Sequence, residues 1–414
     1  MPEYATNAAP PPHYLHRTLE GTLAQALRQS PALLLTGPRQ AGKTTLLQYL
    51  GKDTHRYVSL DALDLRAAAR ADPRAFLDRF PPPVILDEVQ QAPELFPFLK
   101  EAIDHSRHQP GRFLLSASQN LLLLQEVSET LAGRVSVCQM MPLSRREAAG
   151  QPLRPLPWEA EPSPTASLSP QELGAELIRG GYPELVTHPA HDIRMWHASF
   201  VQTYLERDLR SLRQVGDLGR FQVFLQILAA RCAGLLNFSE VARELGVAVN
   251  TVRSWLGILN ASYQVFFLRP WYVNLGKRLV KRPKLYFTDT GTLCHLLGLE
   301  TPGQLADSRH QGAVVENAVV AEVFKAVVHQ GRTPRIYFWR TRNGHEVDLL
   351  VETPRGMVAL EVKATATPKP KHASNLRRLQ QVMGERLVAC YLVHLGPYRL
   401  PLGDGIEALP LAAL

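Results

Sequence analysis

The segment Gly37-Pro38-Arg39-Gln40-Ala41-Gly42-Lys43-Thr44 is a complete phosphate-loop signature, and its flanks restrict what can surround it. Ala32 to Thr36 reads A-L-L-L-T, the run of a buried strand, and Lys43 to Leu50 continues as a helix. Strand, glycine-bearing loop and helix in that order require a parallel α/β sheet with the loop at its carboxyl edge. Gly37 and Gly42 let backbone N–H groups turn inward around phosphate oxygens at a helix N-terminus. The stretch Gly37 to Thr45 is therefore the expected nucleotide-binding element. Lys43 reaches the β- and γ-phosphates, and the Thr44 hydroxyl is placed for Mg²⁺.

A second element extends binding toward hydrolysis. Pro83-Val-Ile-Leu-Asp87-Glu88 is an apolar run ending in two carboxylates, the pattern of a buried parallel strand whose carboxyl end faces the nucleotide. Asp87 is expected to hold Mg²⁺ through its water shell and Glu88 to polarise the attacking water. A third strand, Arg112 to Asn120, ends in small polar residues. Ser118, with Ser116 and Asn120 as alternatives, is a candidate sensor of the γ-phosphate.

The length of 414 residues suits two or three domains. No apolar run reaches the roughly 18 residues of a membrane span, and the proline-bearing N-terminus lacks a signal core, so a cytoplasmic protein is expected. Cys138, Cys232, Cys294 and Cys390 are too dispersed for a metal site and read as reduced thiols. The net charge of +8 is uneven: residues 1–150 hold 16 basic and 15 acidic side chains, residues 151–414 hold 30 and 23. Basic clusters at Lys277/Arg278/Lys281/Arg282/Lys284, Arg207/Arg210/Arg213 and Arg340/Arg342 favour a polyanionic partner, DNA above all.

Four segments follow from the pattern. Residues 1–150 form a P-loop domain, and residues 151–170, with six prolines, a linker. Residues 171–290 are helical and residues 291–414 return to strands. Within the helical part, Asn237 to Leu259 reads as a helix-turn-helix: Ser239 caps the first helix, Gly246 makes the turn, and a second helix starts at Val249. Val252, Trp255, Leu256 and Leu259 share its inner face, leaving Asn250, Thr251, Arg253 and Ser254 outward, as in groove-reading helices. Gln264 to Trp271 and Lys284 to Thr288 then read as strands of a wing. A winged helix also serves as a contact between subunits or domains.

The last third carries a separate constellation. Strands are expected at 335–340, 345–351 and 357–363, the last two joined as a hairpin. Period-two alternation puts Glu361 and Lys363 on one strand face, with Asp348 on the neighbouring strand and Glu316 on an upstream helix. Two carboxylates for Mg²⁺ and a lysine beside the nucleophile are the parts of a metal-dependent phosphodiesterase site. An Asp followed by a spaced Glu-x-Lys is weak on its own, since alternating charges on a half-exposed strand are common.

Together with Leu131-Ala-Gly-Arg134, Gly180-Gly-Tyr-Pro-Glu184, Tyr204-Leu-Glu-Arg-Asp208 and Phe287-Thr-Asp-Thr-Gly291, these motifs resemble a family of bacterial and archaeal AAA-type ATPases with a C-terminal DUF4143 domain. The resemblance implies an α/β fold in three parts: an AAA+ core, a winged-helix element and a restriction-endonuclease-like domain. It also implies ATP as the nucleotide and assembly into a ring of six. The third strand departs from the pattern by ending Ser-Ala-Ser-Gln-Asn. Arg134 is a candidate arginine finger acting across a subunit boundary, with simple pairing to a local acid as the alternative, and Glu206, Arg207 and Asp208 read as a helix-face ion network. The leading expectation is an ATP-driven motor or remodeller on DNA. The competing ones are a switch directed at a protein partner, with the nuclease-like fold as scaffold, and an ATP-gated nuclease.

Overall fold

A computed structural model describes residues 14–118, 131, 133–160, 168–204, 218–272 and 282–414. Asn120, Glu206, Asp208, the arginines at 207, 210 and 213, and Lys277, Arg278 and Lys281 of the basic cluster lie outside the described residues.

Helix α1 (Leu19–Gln29) leads into the first sheet, whose strands are β1 (Ala32–Thr36), β2 (Arg56–Ser59), β3 (Val84–Asp87), β4 (Phe113–Ala117) and β5 (Val135–Gln139). All pairings are parallel and the order is β2-β3-β4-β1-β5. The connecting helices are α2 (Lys43–Gly51), α3 (Leu63–Ala71), α4 (Pro73–Arg79) and α5 (Phe96–His105). Helices on both faces leave β1, β3 and β4 wholly buried, which explains their unbroken apolar runs. Because β4 lies between β1 and β3, the loops after these strands leave the same edge and form a crevice. The P-loop and Asp87-Glu88 face each other across it.

Helix α6 (Arg145–Ala148) starts at a complete capping box between Ser144 and Glu147. The helical part then runs through α7 (Pro170–Arg179), α8 (Pro183–Thr187), α9 (Ile193–Tyr204), α10 (Leu218–Ala230), α11 (Phe238–Leu245) and α12 (Val249–Ala261). The helix-turn-helix is present as α11 and α12, with Gly246 left-handed (φ 64°) at the C-cap of α11. Val252, Trp255, Leu256 and Leu259 are buried as the spacing requires, while Asn250 and Arg253 are exposed and Thr251 and Ser254 are half-buried. The cap is corrected by two residues. Asn237 is the N-cap, its side chain accepting from the Ser239 N–H at 3.2 Å, so Ser239 lies inside the first turn.

Beyond α12, β6 (Val265–Pro270) and β7 (Lys284–Phe287) pair antiparallel, as the two strands of a wing do. They are also continuous with the C-terminal sheet, because Arg269 and Pro270 of β6 pair with Tyr337 and Phe338 of β8 (Ile336–Arg340). Helices α13 (Thr290–Leu296), α14 (Pro302–Asp307) and α15 (Gln311–His329) intervene. β9 (Glu346–Thr353) and β10 (Gly356–Val362) form the expected hairpin; α16 (Ser374–Met383), β11 (Leu387–His394), β12 (Leu400–Pro401) and β13 (Ile406–Pro410) follow. The result is an eight-stranded mixed sheet, β12-β13-β11-β10-β9-β8-β6-β7. Along β10 the side chains alternate: Val358, Leu360 and Val362 join the core around α15, while Met357 and Ala359 join the one around α16. The four cysteines are buried and unbridged.

Candidate functional site

The phosphate loop bends where only small residues fit. A Cβ on Gly37 would stand 2.0 Å from the Met140 carbonyl oxygen, so the loop is pressed against the chain leaving β5. Gly42 (φ 94°) is left-handed, as is Gln40 (φ 59°). The ammonium of Lys43 donates to the carbonyls of Gly37 (3.0 Å) and Pro38 (2.8 Å), which holds it inside the loop.

Across the crevice, Asp87 gathers three hydroxyls. Thr44 Oγ1 donates to both carboxylate oxygens (3.1 and 3.0 Å), Tyr57 donates to Oδ2 (2.9 Å), and Ser116 donates to Oδ1. Burial pushes this carboxyl up, and the charge of Glu88 adds to that against the three donors. Glu88 is treated differently. Burial again works upward, but the nearby Lys43 and a 2.5 Å hydrogen bond from Ser118 overcome it and hold the carboxyl below its ordinary range. Arg39 adds to that lowering. The Glu88 backbone is left-handed at φ 56°, costly for a residue with a side chain, and the Glu88 N–H donates to Ser116 Oγ at 3.0 Å. The fold thus spends backbone strain at the residue whose carboxylate Ser118 holds and the charge of Lys43 keeps ionised.

The oxygen donors Thr44 and Asp87 meet at the carboxyl end of β3, a donor set that suits a hard divalent cation such as Mg²⁺. Ser118 joins the site through Glu88. Arg134 does not join it within this chain. Its neighbour Val135 pairs with Ala32, at the end of the sheet opposite the loop, and its guanidinium Nε lies 2.5 Å from Asp104 Oδ1.

Beside Gly42 and Thr45 a cavity of about 210 Å³ is walled by Tyr14, Met140, Leu143 and Pro183. Pro183 brings in the Gly180-Gly181-Tyr182-Pro183-Glu184 box. Gly181 N–H donates to Asp289 at 2.7 Å and its carbonyl accepts from Leu143 N–H at 2.7 Å. Asp289 also caps α13 through Thr292 N–H (2.8 Å), so the two motifs are one joint between helices and sheet.

Five contacts among Arg17, Glu147, His329 and their neighbours, none of them expected from the sequence, tie the loop to the rest of the chain. Buried Arg17 donates to the Ala41 carbonyl (2.9 Å) and the Met141 carbonyl (2.7 Å), and its Nε lies 3.2 Å from Glu147. The other neighbour of Glu147 is His329, Nδ1 to Oε1 3.2 Å, at the end of α15. His329 Nε2 accepts from Met141 N–H at 3.0 Å, which places the proton of the neutral ring on Nδ1, facing the carboxylate. The Ser144-x-x-Glu147 capping box was the one visible sign.

The carboxylates of the C-terminal constellation are shared between two lysines. Lys363 Nζ meets Glu361 Oε1 at 2.7 Å, on the strand face shared with Ala359. The lysine is thus ion-paired. Asp348 accepts from Val362 N–H at 2.8 Å. Glu316 instead receives Lys284 Nζ (2.8 Å) and the Tyr286 hydroxyl (2.7 Å). Lys284 is 2 % exposed and also lies 2.5 Å from Glu346 and 3.8 Å from Asp348, so it is corrected from a surface cation of the basic cluster to an internal one. Arg340 too is engaged, with Glu346 at 2.9 Å. Burial and the charge of Asp348 push Glu316 up to about 7 and Glu361 up to about 8. Among the described residues no group of three or more His, Cys, Asp or Glu side chains is arranged to hold a metal ion.

The parallel sheet, its loop lysine and the Thr44–Asp87–Glu88 cluster define a P-loop nucleotide-binding fold of the AAA ATPase type. The AAA domain family matches residues 29–149, DUF8612, a domain of unknown function, residues 171–303, and DUF4143, likewise, residues 311–414. Two mycobacterial relatives, "Uncharacterized protein Rv2008c" of Mycobacterium tuberculosis and "Uncharacterized protein Mb2031c" of Mycobacterium bovis, are each 32% identical over 397 residues, 95% of this chain and 83% of theirs. The chain belongs to this family of AAA-type ATPases with a C-terminal DUF4143 domain. Among solved structures, the Walker-type ATPase Paby2304 of Pyrococcus abyssi is similar at 15% identity and a TM-score of 0.44, covering 68% of this chain and 96% of that one.

Proposed function

We propose that this protein hydrolyses ATP and uses the cycle to rearrange its helical and C-terminal parts on DNA. The observation that carries hydrolysis is the gathering of Thr44, Asp87 and Glu88 at the carboxyl end of β3, with the charge of Lys43 and the Ser118 bond holding the Glu88 carboxyl below its ordinary range. Mg²⁺ held by Thr44 and Asp87 would neutralise phosphate charge. Lys43 and the loop N–H groups orient the triphosphate, Glu88 accepts the proton of the attacking water, and Ser118 aims that carboxylate. The cavity beside Gly42 takes the base, with Tyr14 and Met140 as apolar walls.

The basic excess of residues 151–414 and the exposed Asn250 and Arg253 on α12 support DNA as the partner. Assembly into a ring belongs to the same reading. A protein-directed switch is the second reading, favoured by the burial of Lys284, which removes one cation from the surface DNA would meet. ATP turnover is to be measured with single-stranded, duplex and four-way-junction DNA, with Glu88→Gln as the blank. Stimulation by one of these establishes the DNA reading. Turnover indifferent to all of them rejects it in favour of the switch, and turnover unchanged in the blank rejects Glu88 as the base. No helix among the described residues is long and apolar enough to cross a membrane.

A further inference from the structure

A metal-dependent phosphodiesterase needs two or more carboxylates converging on one cation, and Mg²⁺ demands near-octahedral oxygens at roughly 2.0–2.1 Å. The residues of the C-terminal constellation do not fit that group. Glu316 and Asp348 flank a position filled by a protein ammonium, Lys284 Nζ, 2.8 Å from the first and 3.8 Å from the second. A third carboxylate, Glu346, closes on the same ammonium at 2.5 Å. Glu361 is turned to Lys363 instead.

The three carboxylates around Lys284 each have a further donor. The Tyr286 hydroxyl donates to Glu316, Arg340 donates to Glu346, and Val362 N–H donates to Asp348. Beneath the ammonium lies the ring of Phe338, 5.6 Å to its centroid. A divalent ion entering here would stand against a buried like charge at contact distance, without solvent to screen it.

We infer that Lys284 is the resident cation of this carboxylate cluster, standing where a metal would stand in a nuclease, so that the C-terminal fold is a metal-free scaffold. The ammonium comes from β7, and its partners come from α15 (Glu316) and β9 (Glu346, Asp348). One side chain therefore clamps three elements that a metal ion would otherwise bridge. The inference is independent of ATP turnover and of DNA.

The test is Mn²⁺ uptake by the full chain, followed by the EPR signal of the free ion without nucleotide, in an Asp87→Asn background so that the P-loop site is not counted. This protein is expected to take up no Mn²⁺. Adding Lys284→Ala, which leaves the carboxylates without their ammonium, should create a single Mn²⁺ site and a Tm that Mn²⁺ raises. A bound ion in Asp87→Asn that disappears on further Asp348→Asn overturns the inference. A folded Lys284→Ala protein that takes up no ion overturns it as well. If Lys284→Ala does not fold, the Asp87→Asn measurement decides alone, and Mg²⁺-dependent DNA cleavage by the unmodified chain that Lys363→Ala abolishes is a second way to refute it.

Discussion

The hydroxyl of Tyr263 donates to Thr36 Oγ1 at 2.8 Å, joining the turn after the second helix of the helix-turn-helix to the last residue of the strand that feeds the phosphate loop. Both groups are buried, so the bond is sheltered from competing water. It crosses 227 residues of chain and, with Arg17, gives the loop two anchors outside its own sheet.

Replacing Tyr263 by Phe removes that hydroxyl and little else. Unfolding free energy should fall by about 1 kcal/mol, the usual net worth of one hydrogen bond, as read by urea denaturation. ATP should still bind, because no loop phosphate ligand is altered. A stability equal to the parent would show that the bond contributes nothing.

Glu88→Gln keeps the size of the side chain and the Ser118 contact but cannot take a proton. ATP binding should survive while turnover falls about a hundredfold, the scale of one lost transition-state contact. Ser118→Ala should lower turnover less, since it only aims the carboxylate. Steady-state phosphate release with a parallel binding titration separates the two effects.

Gly37→Ala places a methyl 2.0 Å from the Met140 carbonyl, a backbone atom that no rotamer change can move aside. The loop must shift or the strand end must part from it. Nucleotide affinity should drop below detection in a titration with a fluorescent ATP analogue, with the second sheet and its near-UV spectrum intact. Parental affinity would show that the loop yields more easily than its packing implies.

The Arg17–Glu147–His329 junction should be acid-labile. Burial lowers the His329 pKa below its ordinary 6.5, and Arg17 and Lys325 add to that against the pull of Glu147. A histidine depressed in the fold stabilises it fully above pH 6.5, and that contribution is lost as pH falls below 6.5, when protonation turns Nε2 into a second donor facing Met141 N–H. For Glu147, burial acts upward, yet Arg17 chiefly holds the carboxyl well below 4.5, so its contribution fails in the same direction at still lower pH. Tm should decline on acidification from pH 6.5, and His329→Gln should flatten the first part of that slope. Glu147→Gln strands buried Arg17 and should cost about 3–5 kcal/mol.

Local order was legible where the chain obeys one period or one motif. The P-loop, the strand ending at Asp87, the inner face of α12 and the 346–362 hairpin all follow from short-range pattern. Lys284 was not legible. In sequence it stands beside Arg282 and near Lys281, and nothing in that spacing reveals that β7 turns it inward onto Glu316, 32 residues later. Arg17 and His329 fail for the same reason: their partners are distant in sequence and neither belongs to a motif. The Ser239 cap missed by two residues because Asn237 is an equally good capping side chain.

Sharing strands has a practical result for anyone who divides this chain. A cut at residue 290, between the helical and C-terminal segments as the sequence suggests, would strip β6 and β7 from the sheet and bare the edge of β8, including the Tyr337–Phe338 backbone groups that β6 now satisfies. It would also leave Glu316, Glu346 and Asp348 without the ammonium they enclose. An isolated C-terminal fragment should therefore self-associate through the freed edge. A fragment that keeps this sheet whole must begin before Val265.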